Sequence, residues 1–132
     1  MGVQVKLLLD THALLWWWTD DKQLSAVARA VIADERNTVL VSAASVWEIA
    51  TKYRLGKLAM ASTALKQFPT LIEADGFEHL SITWQHSLRA GAYSHDHRDP
   101  FDRMLAAQSE IEAARLVTCD GAFGGFDTDV LW

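Results

Sequence analysis

The chain has 132 residues, half of them hydrophobic and 22% charged, with 17 acidic against 12 basic side chains and a net charge of −5. Such a chain fits one domain with a real core, which excludes disorder, and its acidic balance argues against a surface built to bind nucleic acid at large. No apolar stretch approaches the roughly 18 residues of a membrane span, no signal-peptide pattern opens the sequence, and one cysteine, Cys119, excludes an internal disulfide and a thiolate zinc site.

Val3 to Leu9 is an apolar run without helical period, the pattern of a buried parallel strand. A short helix is expected over Thr11 to Thr19, and a second over Ala26 to Glu35, capped by Ser25, with Val27, Ala30, Val31 and Asp34 spaced along it. Thr38 to Ser42 reads as the second strand and Ala43 to Leu55 as a helix closed by a left-handed Gly56. Met60 to Ala74 reads as one or two helices interrupted near Pro69. Glu78 to Ile82 is a third strand, Trp84 to Tyr93 and Pro100 to Ala114 are helices, and Leu116 to Cys119 is the fourth strand. Val130 to Trp132 adds an edge strand. Strands alternating with helices imply one α/β domain over residues 1–132, a central parallel sheet of four to five strands covered on both faces.

Four acids stand where an apolar run meets the next element: Asp10, Glu48, Asp102 and Asp120. In an α/β sheet such junctions share one edge, where ligands bind. Carboxylates held together repel, and a hard cation such as Mg²⁺ or Mn²⁺ relieves that repulsion and suits phosphate chemistry. Each acid also has a plainer reading. Asp10 fits a helix cap and Asp120 a turn residue before Gly121. Ser45-Val46-Trp47-Glu48 fits a capping box, and Glu48 pairs with Lys52 one turn on. Asp99 caps the helix that Pro100 opens, with Asp102 in its first turn and Phe101, Met104, Leu105 and Ile111 as the buried stripe. Gln108 falls within that stripe and needs buried partners. Position alone leaves both readings open.

Four blocks carry a resemblance: LLLDTHALLW (7–16), SVWEIATKYRLGKL (45–58), HRDPFDRMLAAQ (97–108) and LVTCD (116–120). In order and spacing they resemble PIN-domain ribonucleases, and most of all the VapC-like toxin branch of bacterial type II toxin–antitoxin systems. The resemblance implies a Mg²⁺- or Mn²⁺-dependent endoribonuclease of PIN-like fold, with Asp10, Glu48, Asp102 and Asp120 as the four acids, and the sequence without a signal-peptide pattern makes the cytoplasm the expected location. In that reading Asp10 and Asp102 bind one ion directly, while Glu48 and Asp120 complete its shell through waters or hold a second ion. Asp99 is kept as a cap with influence on the site, and Thr118 as the hydroxyl that orients Asp120, a water or a phosphate. Ala43 stands where proline is common and Cys119 where a small residue is usual, and neither departure removes an acid.

Lys52, Arg98 and Arg103 are candidate phosphate contacts, with solvated ion pairs as the plainer reading. His12, His95 and His97 are weaker candidates for a general base, since a metal already supplies the nucleophile. The resemblance also implies an RNA substrate, a cognate antitoxin and a second copy of the chain, and the lack of a long apolar stretch leads to the expectation of no membrane partner. At least one of Trp16, Trp17 and Trp18 is expected near the surface as a partner contact, unless all three pack into the core. Two rivals remain. A haloacid-dehalogenase-like phosphohydrolase needs a second aspartate where this chain has His12, and a PIN-like binding module without catalysis would use the acids as caps.

Overall fold

The computed structural model describes residues 4–94 and 96–132. His95, one of the histidines considered as a base, therefore lies outside the described residues. Five parallel strands, β1 (Lys6–Leu9), β2 (Thr38–Ser42), β3 (Glu78–Leu80), β4 (Arg115–Val117) and β5 (Val130–Leu131), form one sheet in the order β3-β2-β1-β4-β5. Seven α-helices are described: α1 (Thr11–Trp18), α2 (Ala26–Ala33), α3 (Ala43–Arg54), α4 (Ser62–Lys66), α5 (Phe68–Asp75), α6 (Trp84–Ala92) and α7 (Pro100–Glu112).

Side chains alternate across β1, so Leu7 and Leu9 face one core and Leu8 the other. The first core gathers Leu14, Leu15, Ile32, Ile49 and Ile72 from α1, α2, α3 and α5. The second gathers Leu105 and Ala106 from α7 with Leu40, Leu116, Phe123 and Phe126. Leu8 pairs with Leu40 on β2 and Leu116 on β4, which makes β1 the central strand. From β1 the chain proceeds outward through β2 and β3, then returns to add β4 and β5 on the opposite side. That reversal leaves a crevice at the carboxyl ends of β1 and β4, where doubly wound sheets bind ligands.

The punctuation follows the sequence. Ser25 accepts from the Ala28 amide to start α2, and Pro69 sits in the first turn of α5, after a break at Gln67. Gly56, at φ +76°, ends α3 in a Schellman motif: its amide bonds the Tyr53 carbonyl and the Lys57 amide bonds the Lys52 carbonyl.

Three local expectations are corrected, for the α3 cap and for the buried faces of α2 and α7. The α3 cap is Ser42, whose Oγ accepts from the Ala44 amide, so Ser45 and Glu48 form no capping box and Glu48 lies within the helix. In α2 the buried residues are Ala28 and Ile32 while Val27 is exposed, because AVARAVIA has almost no polar face to fix its phase. In α7 the buried run is Leu105 to Ser109 and Ile111 is exposed, since this helix is enclosed by the sheet, α3 and α6. The run Trp16 to Trp18 is half-buried: Trp16 meets Trp132, Trp17 meets Phe77, Trp18 meets Phe68, and both later indoles donate to Asp75. Trp47 and Trp84 are more exposed still.

Candidate metal centre in the crevice

Asp10 immediately follows β1, and its amide donates to the Val117 carbonyl, prolonging the β1–β4 pairing to the mouth of the crevice. Its Oδ1 accepts from the Ala13 amide at 2.7 Å, so it does cap α1. Three residues past β4, Asp120 caps a short 3₁₀ turn through the Ala122 amide, and its own amide donates to Thr118 Oγ1 at 3.0 Å. Thr118 is fully buried, and its hydroxyl favours the Asp10 carboxylate as well as accepting from the Asp120 amide. Glu48 enters from α3, 4% exposed, and Asp102 from the first turn of α7.

These elements bring Asp10, Glu48, Asp102 and Asp120 to one polar cleft of about 80 Å³, with Asp99, Lys52, Thr11 and His12 on its walls. Asp99 caps α7 through the Phe101 and Asp102 amides as its position predicted. The cleft is crowded with negative charge. Burial raises the Asp10 pKa, and the Glu48 charge adds to the rise, against lowering by the Thr118 and Ala13 hydrogen bonds and by His12. Burial likewise pushes Asp102 up to about 6, helped by Asp99 and Glu48 and opposed by His97. For Lys52 burial favours the neutral amine, but the hydrogen bond and charge of Glu48, with Asp99 and Asp102 behind, raise the pKa above its ordinary value.

The basic candidates separate. Lys52 lines the cleft but is ion-paired with Glu48. Arg98 is exposed, outside the cleft lining and without an ion pair among the described residues. Arg103 is turned away from a phosphate role: its guanidinium donates to the Ala90, His97 and Tyr93 carbonyls at 2.8–3.0 Å and lies over the Tyr93 ring. It binds the end of α6 to the start of α7.

Three site partners were not legible. Thr11 Oγ donates to Glu48 Oε1 at 2.6 Å, and Ser45 Oγ lies 3.2 Å from that hydroxyl. They come from helices far apart in sequence, and nothing local announces the contact. His97, considered only as a base, instead holds Asp102, its Nε2 lying 2.7 Å from Oδ2. Its place just before the DPFD helix start was the available signal.

An all-oxygen set of carboxylates in a small polar cleft suits a hard divalent cation. Among the described residues no three His, Cys, Asp or Glu side chains converge closely enough to ligate one ion, because each carboxylate is turned to a protein partner. Mg²⁺ does not need such convergence, since it retains waters and takes one or two protein carboxylates. The donor set fits.

A family profile for the PIN domain matches residues 7–127. The chain belongs to the PIN domain family. Over 59 residues it is 42% identical to Ribonuclease VapC16 of Mycobacterium tuberculosis (strain ATCC 25618 / H37Rv), a match covering 45% of this chain and 42% of that protein. The match thus spans less than half the length of that relative. The fold resembles the crystal structure of VapBC2 from Rickettsia felis bound to a promoter DNA fragment, with TM-score 0.68 and 14% identity, covering 97% of this chain and 98% of that one. It also resembles a toxin–antitoxin complex from Klebsiella pneumoniae, with TM-score 0.55 and 14% identity, covering 95% and 96%. At that identity the two structures establish the shared fold.

Proposed function

We propose that this chain is a Mg²⁺- or Mn²⁺-dependent endoribonuclease, the toxin of a toxin–antitoxin pair, acting in the cytoplasm and held in check by a cognate antitoxin. The observation that carries the reading is the convergence of Asp10, Glu48, Asp102 and Asp120 on one cleft at the crevice between β1 and β4. Capping accounts for Asp10, Asp99 and Asp120, but not for a glutamate buried within α3. That residue weighs against a PIN-like module that only binds.

Asp10 and Asp102 would hold the ion, with Glu48 and Asp120 completing the oxygen set. When bound, the ion supplies Lewis acidity toward the phosphate and an activated water. Thr118 positions Asp120 through its backbone amide, Thr11 orients Glu48, and His97 aims Asp102. Lys52 is the basic group placed to meet a phosphate in the cleft. Kinship with a protein named a ribonuclease supports RNA as substrate, and the likeness to two toxin–antitoxin structures supports an antitoxin. Exposed Trp84 and Leu88 on α6 support a protein partner, including a second copy of the chain.

The test is to incubate purified protein with RNA and Mg²⁺ and to analyse the fragment ends. The reading predicts 5′-phosphate and 3′-hydroxyl ends, blocked by chelator and by added antitoxin. Cyclic 2′,3′-phosphate ends, or cleavage indifferent to chelator, would refute it.

A further inference from the structure

Both oxygens of the buried Glu48 carboxylate have partners: the Thr11 hydroxyl donates to Oε1 and the Lys52 ammonium to Oε2. Lys52 stands one turn along α3 and its side chain is 30% exposed, so the ammonium reaches the cleft while its partner stays inside. The cleft walls carry five carboxylates, Asp10, Glu48, Asp99, Asp102 and Asp120, and Lys52 is the one lysine or arginine among them. Without a divalent ion, this ammonium is the fixed cation that offsets the buried glutamate. A divalent ion seeks the same oxygens with twice the charge. An ammonium on a flexible stem, with three rotatable donors, gives up one acceptor for another readily.

We infer that Lys52 is the resident counter-cation of the metal-free cleft, and that a divalent ion takes Glu48 from it and frees the ammonium for the incoming phosphate. Thr11 keeps the second oxygen, so the carboxylate need not leave its place. The inference rests on the proposed function and adds a competition between an internal cation and the metal. It also gives metal loading a consequence for substrate binding, because the phosphate-seeking amine is released only as the ion enters.

Wild-type protein provides the test. Lysines are acylated with an amine-reactive ester, with and without saturating Mg²⁺, and the modified sites are quantified by mass spectrometry. Lys52 should become about fivefold more reactive with Mg²⁺, the factor that an ion pair worth about 1 kcal/mol gives. Lys6, Lys22, Lys57 and Lys66 should not change, and they serve as internal controls. In calorimetry Lys52→Met should bind Mg²⁺ about fivefold more tightly, by the same ion-pair estimate. A general loss of positive charge would also tighten binding, so the exposure of the amine in wild type is the decisive readout. Mg²⁺ binding that leaves Lys52 as unreactive as before overturns the inference alone. No Mg²⁺ binding to wild type overturns the functional reading and this inference with it.

Discussion

A carboxylate buried within a helix is costly unless hydrogen bonds and an opposite charge hold it, and at Glu48 the Thr11 hydroxyl and the Lys52 ammonium do so. Asp10 and Asp102 are less well compensated, and both are pushed toward the protonated form. Two predictions belong to this scale. Asp10→Asn or Asp102→Asn should lower RNA cleavage at least about 100-fold, by loss of the metal's contribution to the barrier, with an unchanged circular-dichroism spectrum. The second concerns pH. A carboxyl raised to about 6 from an ordinary 3.8 binds its proton more tightly in the folded than in the unfolded chain. Its contribution to stability is therefore complete below 3.8 and is lost as pH rises through about 6. The Tm of metal-free protein should fall across that window, less so in Asp102→Asn, and Mg²⁺ should restore it above the window. Of these residues the sequence displayed positions and chemical types. It could not display burial, since a helical wheel places Glu48 off the apolar face whether its neighbour is water or the hydroxyl of Thr11.

At the scale of elements, the strands and helices were readable because their ends carry strong local chemistry: Ser25, Gly56, Pro69 and the Asp99-Pro100 start of α7 all act as expected. Phase and contact were harder. Ser42 outcompetes Ser45 as the α3 cap because the helix begins directly at the end of β2 with no intervening loop. Ser42 also donates to Gln108 Oε1, joining β2 to the enclosed face of α7. Ser42→Ala should therefore cost about 2 kcal/mol, from a lost cap and an unpaired buried amide oxygen, read as a lower urea midpoint. Arg103 teaches a similar lesson. Next in sequence to Asp102, it resembled a phosphate contact, yet the Ala90 carbonyl in α6 and the Tyr93 and His97 carbonyls of the α6–α7 connection engage it. Arg103→Ala should loosen that connection, seen as faster protease cleavage between α6 and α7, and should lower kcat more than it raises KM. Arg103→Lys should rescue little, because an ammonium cannot span acceptors that a planar guanidinium bridges.

For the whole molecule, sheet order does what no single motif can. Outward growth from β1 to β3 followed by return to β4 and β5 sets Asp10 and Asp120 on either side of the reversal. The first turn of α7 and the body of α3 then contribute Asp102 and Glu48 from the flanks. Resemblance of the sequence blocks to PIN-domain ribonucleases anticipated a central parallel sheet flanked by helices but not the order of its strands, and the profile match over residues 7–127 places the chain in that family. For the tryptophans the sequence left surface and core open, and their half-burial depends on partners such as Phe68, Phe77 and Trp132 that the fold alone brings near. The most direct test of the central claim is a calorimetric titration of Mn²⁺ into wild-type protein and into the Asp10→Asn/Asp102→Asn double variant. A shared site predicts binding to wild type that weakens as pH falls through about 6, with proton release, and is abolished in the folded double variant. Equal Mn²⁺ affinity in the two proteins would contradict the account.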